Sequence, residues 1–124
     1  MKHLAECVLI VEDEALIAMG LRHQVSQIGM KVCAVAGTAS AAIVLAQEHR
    51  PRIVLMDVRL GGEQDGVDAA LAIHESVGSK VIFITGSQEP KTLARIQQDH
   101  PTAVLFKPMS ERQLKITIEA ALQN

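Results

Sequence analysis

Apolar residues fall along this chain in two kinds of run, and the two kinds alternate. Residues 7–11, 53–56 and 81–84 are apolar at every position, which predicts strands buried on both faces, since a strand with one wet face would alternate apolar and polar side chains. Residues 31–35 and 103–106 predict two further strands. Between these blocks apolar side chains return at helical spacing: Ile17, Leu21, Val25 and Ile28 within 14–28, the alanines of 38–48, and Val67 and Leu71 within 65–75. Pro90 suits the first turn of a helix running to about residue 98, because the N–H it lacks would be unpaired there. In a last helix Ser110 and Gln113 form a capping box, and Leu114, Ile118 and Leu122 share the inward face. Gly29 is expected to end the first helix and Pro51 to stop the second.

Strands and helices in strict alternation imply right-handed crossovers and a parallel sheet covered on both faces. The expected fold is α/β, a flavodoxin-like (βα)5 doubly wound sandwich with strand order 2-1-3-4-5. That order sets the carboxyl ends of strands one and three side by side at the topological switch point. No repeat, low-complexity stretch or linker breaks the pattern, so residues 1–124 are expected to form one domain, and 48% hydrophobic residues supply its core. Net charge is −2 with the signs interspersed, which leaves no basic stripe for direct nucleic-acid binding. No run approaches the ~18 apolar residues of a membrane span, and residues 1–6 lack the regions of a secretory leader, so a cytoplasmic protein without membrane contact is expected. Cys7 and Cys33 fall inside strands and read as buried thiols of a reducing compartment; a redox pair between neighbouring strands is the sharper alternative.

Four polar residues, Asp13, Asp57, Thr85 and Lys107, each stand just after one of the strands, so all four should meet at the carboxyl edge of the sheet. Glu12, Asp13 and Asp57 crowded there would repel one another, and a divalent cation would relieve that repulsion. Oxygen-only ligands favour Mg²⁺, and neither the five histidines nor the two cysteines have zinc-site spacing. Asp57 is the natural nucleophile, ionised at neutral pH without a general base, and the Lys107 ammonium and Thr85 hydroxyl supply charge neutralisation and positioning for phosphoryl transfer. Each residue alone has a plainer explanation. Glu12 and Asp13 could cap a helix, Thr85 could line a turn, and a lysine before a proline is ordinarily solvated. An unpaired carboxylate following an apolar strand, as at Asp57, is harder to dismiss.

The motifs Val8 to Glu14, Leu55-Met56-Asp57, Ile84-Thr85-Gly86 and Phe106-Lys107-Pro108 together resemble the receiver domains of two-component response regulators, over nearly the whole chain. The resemblance implies a signalling domain, not an enzyme, that assists its own phosphorylation and dephosphorylation. It implies that Asp57 accepts a phosphoryl group from a histidine kinase or a histidine phosphotransfer protein. Asp13, Asp57 and the backbone carbonyl of Arg59 would ligate Mg²⁺, with Glu12 assisting through water. Lys107 would pair with the phosphoryl group, Thr85 would move to hydrogen-bond it, and the Lys107-Pro108 peptide would be cis.

Three departures from the family pattern stand out. Val104 occupies the place of the usual aromatic switch residue, and the chain has no Tyr or Trp; Phe106 is expected to pack in the core. The loop over residues 59–66 is one residue longer than the common form, with glycines where a proline is usual, and is expected to be more mobile. Arg59 and Ser87 stand where such domains tune phosphoryl lifetime, and Arg59 is expected to shield or pair with the acyl phosphate. No output domain is expected to act after Asn124, and the signal is expected to reach an unidentified partner through helix four, strand five and helix five, where Leu93, Ile96, Leu105 and Ile116 add apolar side chains. A homodimer is a further candidate partnership.

Other readings are a receiver that is part of a longer response regulator or hybrid histidine kinase, and a degenerate receiver that signals by binding without phosphorylation. A phosphatase using Asp57 would need a second acid two residues on, where Arg59 stands. A nucleotide or flavin binder would need a phosphate-friendly first loop, where Glu12, Asp13 and Glu14 would repel the ligand.

Overall fold

A computed structural model describes residues 3–123 of the chain. The elements alternate without exception: β1 (Ala5–Val11), α1 (Ala15–Gln27), β2 (Lys31–Ala36), α2 (Ala39–His49), β3 (Pro51–Asp57), α3 (Gly66–Ser76), β4 (Lys80–Thr85), α4 (Pro90–Gln98), β5 (Ala103–Phe106) and α5 (Glu111–Leu122). The strands form one five-stranded parallel sheet in the order β2-β1-β3-β4-β5. The expected doubly wound sandwich is therefore the observed one. None of the helices described is long and apolar enough to cross a membrane.

Because strand side chains alternate, the sheet divides two separate cores. Leu9, Val11, Val54, Met56, Val81 and Phe83 point to the face covered by α2, α3 and α4, and Val8, Ile10, Ile53, Leu55, Ile82 and Ile84 to the face covered by α1 and α5. The small residues Ala39, Ala42 and Ala46 let α2 lie close to the sheet. Ser110 and Gln113 make the expected capping box on α5. At the other end of that helix, Arg52 of β3 and Lys80 of β4 donate to the carbonyls of Leu122 and Ala121 at 2.6 and 2.7 Å. Two cations thus satisfy terminal carbonyls where the helix dipole favours positive charge.

The structure differs from expectation at several places, among them α1, where Ile17 is 38% exposed and Ala18 joins Leu21 and Val25 in the buried stripe. Leu71 is 51% exposed, and Ile73 with Ala69 and Ala70 forms the buried stripe of α3 instead. Phe106 is 40% exposed, not packed in the core, because it ends the short edge strand β5 at the margin of the sheet. Ile96, expected on the surface, is wholly buried and anchors α4. α2 ends on Arg50 in the left-handed conformation (φ 50°), one residue before Pro51 opens β3, so the chain turns before the proline is reached. Cys7 is buried and Cys33 half-buried. Cys33 is the residue passed over where the β1–β2 register shifts, and its thiol donates to the Val8 carbonyl at 3.4 Å. Burial, with the Cys7 thiol nearby, pushes the Cys33 thiol up to about 12, which keeps it in the unreactive protonated form.

Candidate functional site

The parallel ladder delivers the polar residues to one edge. β1 runs out at Val11, and the next residue, Glu12, continues the ladder through a 2.8 Å bond from its N–H to the Ala36 carbonyl. Asp57 closes β3 opposite Ile84, so Thr85, the last residue of β4, lies one step beyond. Lys107 follows β5, and its N–H bonds the Thr85 carbonyl at 2.9 Å. Glu12, Asp57 and Thr85 are buried, Asp13 is exposed and Lys107 is half-buried.

Glu12, Asp13 and Asp57 each offer a carboxylate oxygen, and these oxygens lie within 4.8 Å of one another. Burial, with the Asp57 charge adding to it, holds the Glu12 carboxyl above the usual carboxylate range despite the hydrogen bond it accepts from the Glu14 N–H at 3.0 Å. Lys107 Nζ answers this negative charge from 3.2 Å at Asp57 Oδ2 and 3.6 Å at Glu12 Oε1. Burial would lower the Lys107 ammonium, but Asp57 and Glu12 outweigh it and hold the group above the ordinary lysine value. It is therefore a full cation at neutral pH.

Thr85 Oγ1 accepts the Ser87 N–H at 3.0 Å, and Ser87 Oγ accepts the Glu89 N–H at 3.2 Å. A chain of two hydroxyl turns thus runs from Thr85 to the residue before α4. An open cavity of about 420 Å³ is walled by Asp13, Asp57, Arg59, Thr85, Ser87 and Lys107. The Arg59 N–H points to Asp57 Oδ1 at 3.4 Å, and the Lys107-Pro108 peptide is cis, as the family resemblance implied. All the site residues picked out from sequence therefore meet in one place. The plainer explanations survive only as additions. Thr85 does shape a turn, and Glu12 does accept the N–H of Glu14, the N-cap residue of α1, although Glu14 itself makes no side-chain cap bond.

Two features escaped the sequence reading. The first is Gly66, where a Cβ would lie well inside van der Waals contact of the Asp57 carbonyl oxygen and 2.9 Å from its carbon. Only a residue without a side chain lets α3 start against the backbone of the central aspartate. The second is a clasp between α4 and α3, in which the Arg95 guanidinium donates to both carboxylate oxygens of Asp65 at 2.7 and 3.1 Å. The glycine-bearing loop between Asp57 and α3 is also tied down more than its composition suggested. Gly61 bridges to Thr38 at the start of α2, and the Gly66 N–H closes the loop on the Val58 carbonyl at 2.8 Å.

Residues 8–119 match the family model of the response regulator receiver domain. Over 115 residues the chain is 35% identical to the transcriptional regulatory protein PdtaR of Mycobacterium tuberculosis, covering 93% of this chain and 56% of that protein. It is 33% identical over 120 residues to the phyllosphere-induced regulator PhyR of Methylorubrum extorquens, covering 96% of this chain and 44% of PhyR. The chain thus spans about half the length of these relatives. Among solved structures, the signal receiver domain of a modulated diguanylate cyclase from Desulfovibrio desulfuricans G20 superposes with a TM-score of 0.88 at 37% identity, over 94% of this chain and 92% of that one. The receiver domain of PhyR from Erythrobacter litoralis gives 0.85 at 33% identity, over 97% and 92%.

Proposed function

The chain belongs to the response regulator receiver domain family, and from that premise we propose that Asp57 is its phosphoacceptor, loaded from the phosphohistidine of a histidine kinase or phosphotransfer protein. The observation that carries the proposal is the direct ion pair of Lys107 with Asp57 beside the Glu12, Asp13 and Asp57 oxygens. In the reaction an Asp57 carboxylate oxygen attacks phosphorus as the phosphorus–nitrogen bond breaks and the imidazole leaves. Lys107 would pair with one phosphoryl oxygen, and the Thr85 hydroxyl would move to hydrogen-bond another. The oxygen-only donor set, with a crowded and partly buried negative charge, fits Mg²⁺ held by Asp13, Asp57 and the Arg59 carbonyl, with Glu12 behind them. Mg²⁺ would neutralise charge on the incoming group; the remaining work of orienting it falls to Lys107 and Thr85.

The reading is tested by intact mass after incubation with a small-molecule phosphodonor. One adduct of about 80 Da is expected with Mg²⁺ and none after chelation of the metal. An adduct that forms equally well in excess chelator would remove the metal from the scheme.

Arg59 is exposed on the wall of the cavity, where its guanidinium can cover the acyl phosphate and restrict the attacking water. Arg59→Ala is expected to speed loss of the adduct several-fold with little change in melting temperature. A decay curve superimposable on that of the wild type would discard the shielding role.

A partner would read the phosphoryl state on the face made by α4, β5 and α5, where Phe106 and Ile116 present exposed apolar surface. A second reading, a receiver that is one part of a longer regulator, is favoured by the greater length of PdtaR and PhyR.

A further inference from the structure

We propose that Arg95, on α4, is a positioning residue for the metal and phosphoryl pocket, acting through Asp65, and that it thereby couples α4 to the occupancy of that pocket. The inference rests on the reading of Asp57 and its carboxylate neighbours given above. Three features of the structure carry it.

The first is where Arg95 stands between α4 and the loop beside the pocket. Ile96 is the buried side chain of α4, and Glu89 at its N-terminus makes no side-chain cap. Between the start of α4 and the loop after Asp57 lies an open cavity of about 370 Å³, with Glu89 and Thr92 on one wall and Arg59, Gly62 and Gln64 on the other. Beneath it, Leu93 and Ile96 of α4 share one apolar core with Val58, Leu60 and Val67. Arg95 adds a directional polar link, through its fork of donors to Asp65.

The second is how firmly that fork is received. Besides the two bonds to Asp65, Arg95 Nη2 lies 3.4 Å from Asp68 Oδ1. Asp65 Oδ1 caps α3 by accepting the N–H groups of Val67 and Asp68 at 3.0 and 3.1 Å, and Asp68 Oδ2 accepts the Asp65 N–H at 3.0 Å. The carboxylate is held from several sides, so a movement of Arg95 is passed to the backbone of residue 65 and not absorbed by a rotating side chain. Burial pushes the Asp65 carboxyl up, but the Arg95 guanidinium and the Asp68 N–H outweigh it and keep it below the usual range, consistent with a formed ion pair at neutral pH.

The third is the shortness of the path onward. Asp65 is followed by Gly66, whose N–H bonds the Val58 carbonyl and whose Cα lies against the Asp57 backbone. Arg59 comes next, with its N–H on Asp57 Oδ1. A shift of Asp65 therefore reaches Arg59, next to Asp57, through two peptide units, 65–66 and 58–59, and the hydrogen bond that joins them. By linkage, binding at the pocket must bias α4 by the same free energy with which Arg95 biases the pocket.

Arg95 and Asp65 side chains are 45% and 30% exposed, so the ion pair adds little to overall stability. That separates positioning from folding in an experiment on the full chain. Mg²⁺ would be titrated into the wild type, Arg95→Gln and Arg95→Lys, following backbone amide shifts, with hydrogen exchange of α4 measured with and without the metal. Arg95→Gln is expected to weaken Mg²⁺ binding about two- to five-fold, the ceiling set by an exposed ion pair. Arg95→Lys should recover part of the loss. Mg²⁺ should slow exchange of α4 amides in the wild type and not in Arg95→Gln, while metal-free melting stays near the wild-type value. A variant that binds Mg²⁺ as the wild type does, with the same metal-dependent protection of α4, overturns the proposal and leaves the phosphoacceptor reading standing. A wild type that binds no Mg²⁺ overturns the proposal together with the metal-site reading, while the phosphoacceptor reading stands or falls on the adduct at Asp57.

Discussion

Asp57→Asn should gain no mass from a small-molecule phosphodonor under conditions in which the wild type gains about 80 Da. The substitution keeps the shape of the side chain but removes the anionic oxygen that would attack phosphorus, and an amide is a far weaker nucleophile. It also takes one carboxylate from the set of three whose oxygens lie within 4.8 Å, so Mg²⁺ affinity should fall as well. Lys107 keeps Glu12 as a partner at 3.6 Å, and the fold should survive. An adduct of unchanged yield in the variant, mapped by fragmentation to another residue, would move the acceptor elsewhere.

Gly66→Ala is expected to be the most damaging single methyl group in the chain. Its Cβ would collide with the carbonyl group of Asp57, and Met56 Cγ lies 3.0 Å away, so the nearest obstacle is backbone that cannot rotate aside. Overpacking of this kind costs about 1–3 kcal/mol, and a backbone obstacle puts this case at the upper end. A fall in melting temperature of roughly 10 °C would follow for a domain of this size, with phosphoryl uptake reduced because Asp57 itself is displaced. Gly20→Ala is the control with opposite sign. That position lies inside α1 with nothing within 4 Å of an added Cβ, so alanine should stabilise by about 0.5–1 kcal/mol through helix propensity. Equal melting curves for the two variants would show that the crowding at Gly66 is relieved without cost.

The fold and the cluster of polar residues at the sheet's carboxyl edge were legible in the sequence because both are written in short-range signals. Apolar blocks such as Ile53 to Met56 name buried strands, and in a parallel sheet the residue after each block must arrive at the same edge, so Asp57, Thr85 and Lys107 could be grouped without coordinates. Gly66 and Arg95 were not legible. The need for glycine at 66 arises from where α3 starts against β3, and nothing in the run of residues 58–66 reveals that approach. Arg95 reaches Asp65 across 30 positions of sequence, a separation over which charge order carries no information. The errors at Leu71, Ile96 and Phe106 share a cause: periodicity says which residues lie on one face of an element but not whether a neighbour covers that face. α4 shows it best, since its single buried side chain, Ile96, is the one expected outside.

The sheet's partition of the interior has a consequence for how such a protein can change over generations. Val8 and Leu9 are neighbours in sequence but belong to different cores, one beneath α1 and α5, the other beneath α2, α3 and α4. Substitutions on opposite sides share few partners, and their effects should add as those of independent sites do. A lineage can therefore rework the packing under α4, and with it the surface offered to new binding companions, while the opposite half keeps its ancestral fit. Divergence of partners need not wait for compensating changes on the other side of the sheet.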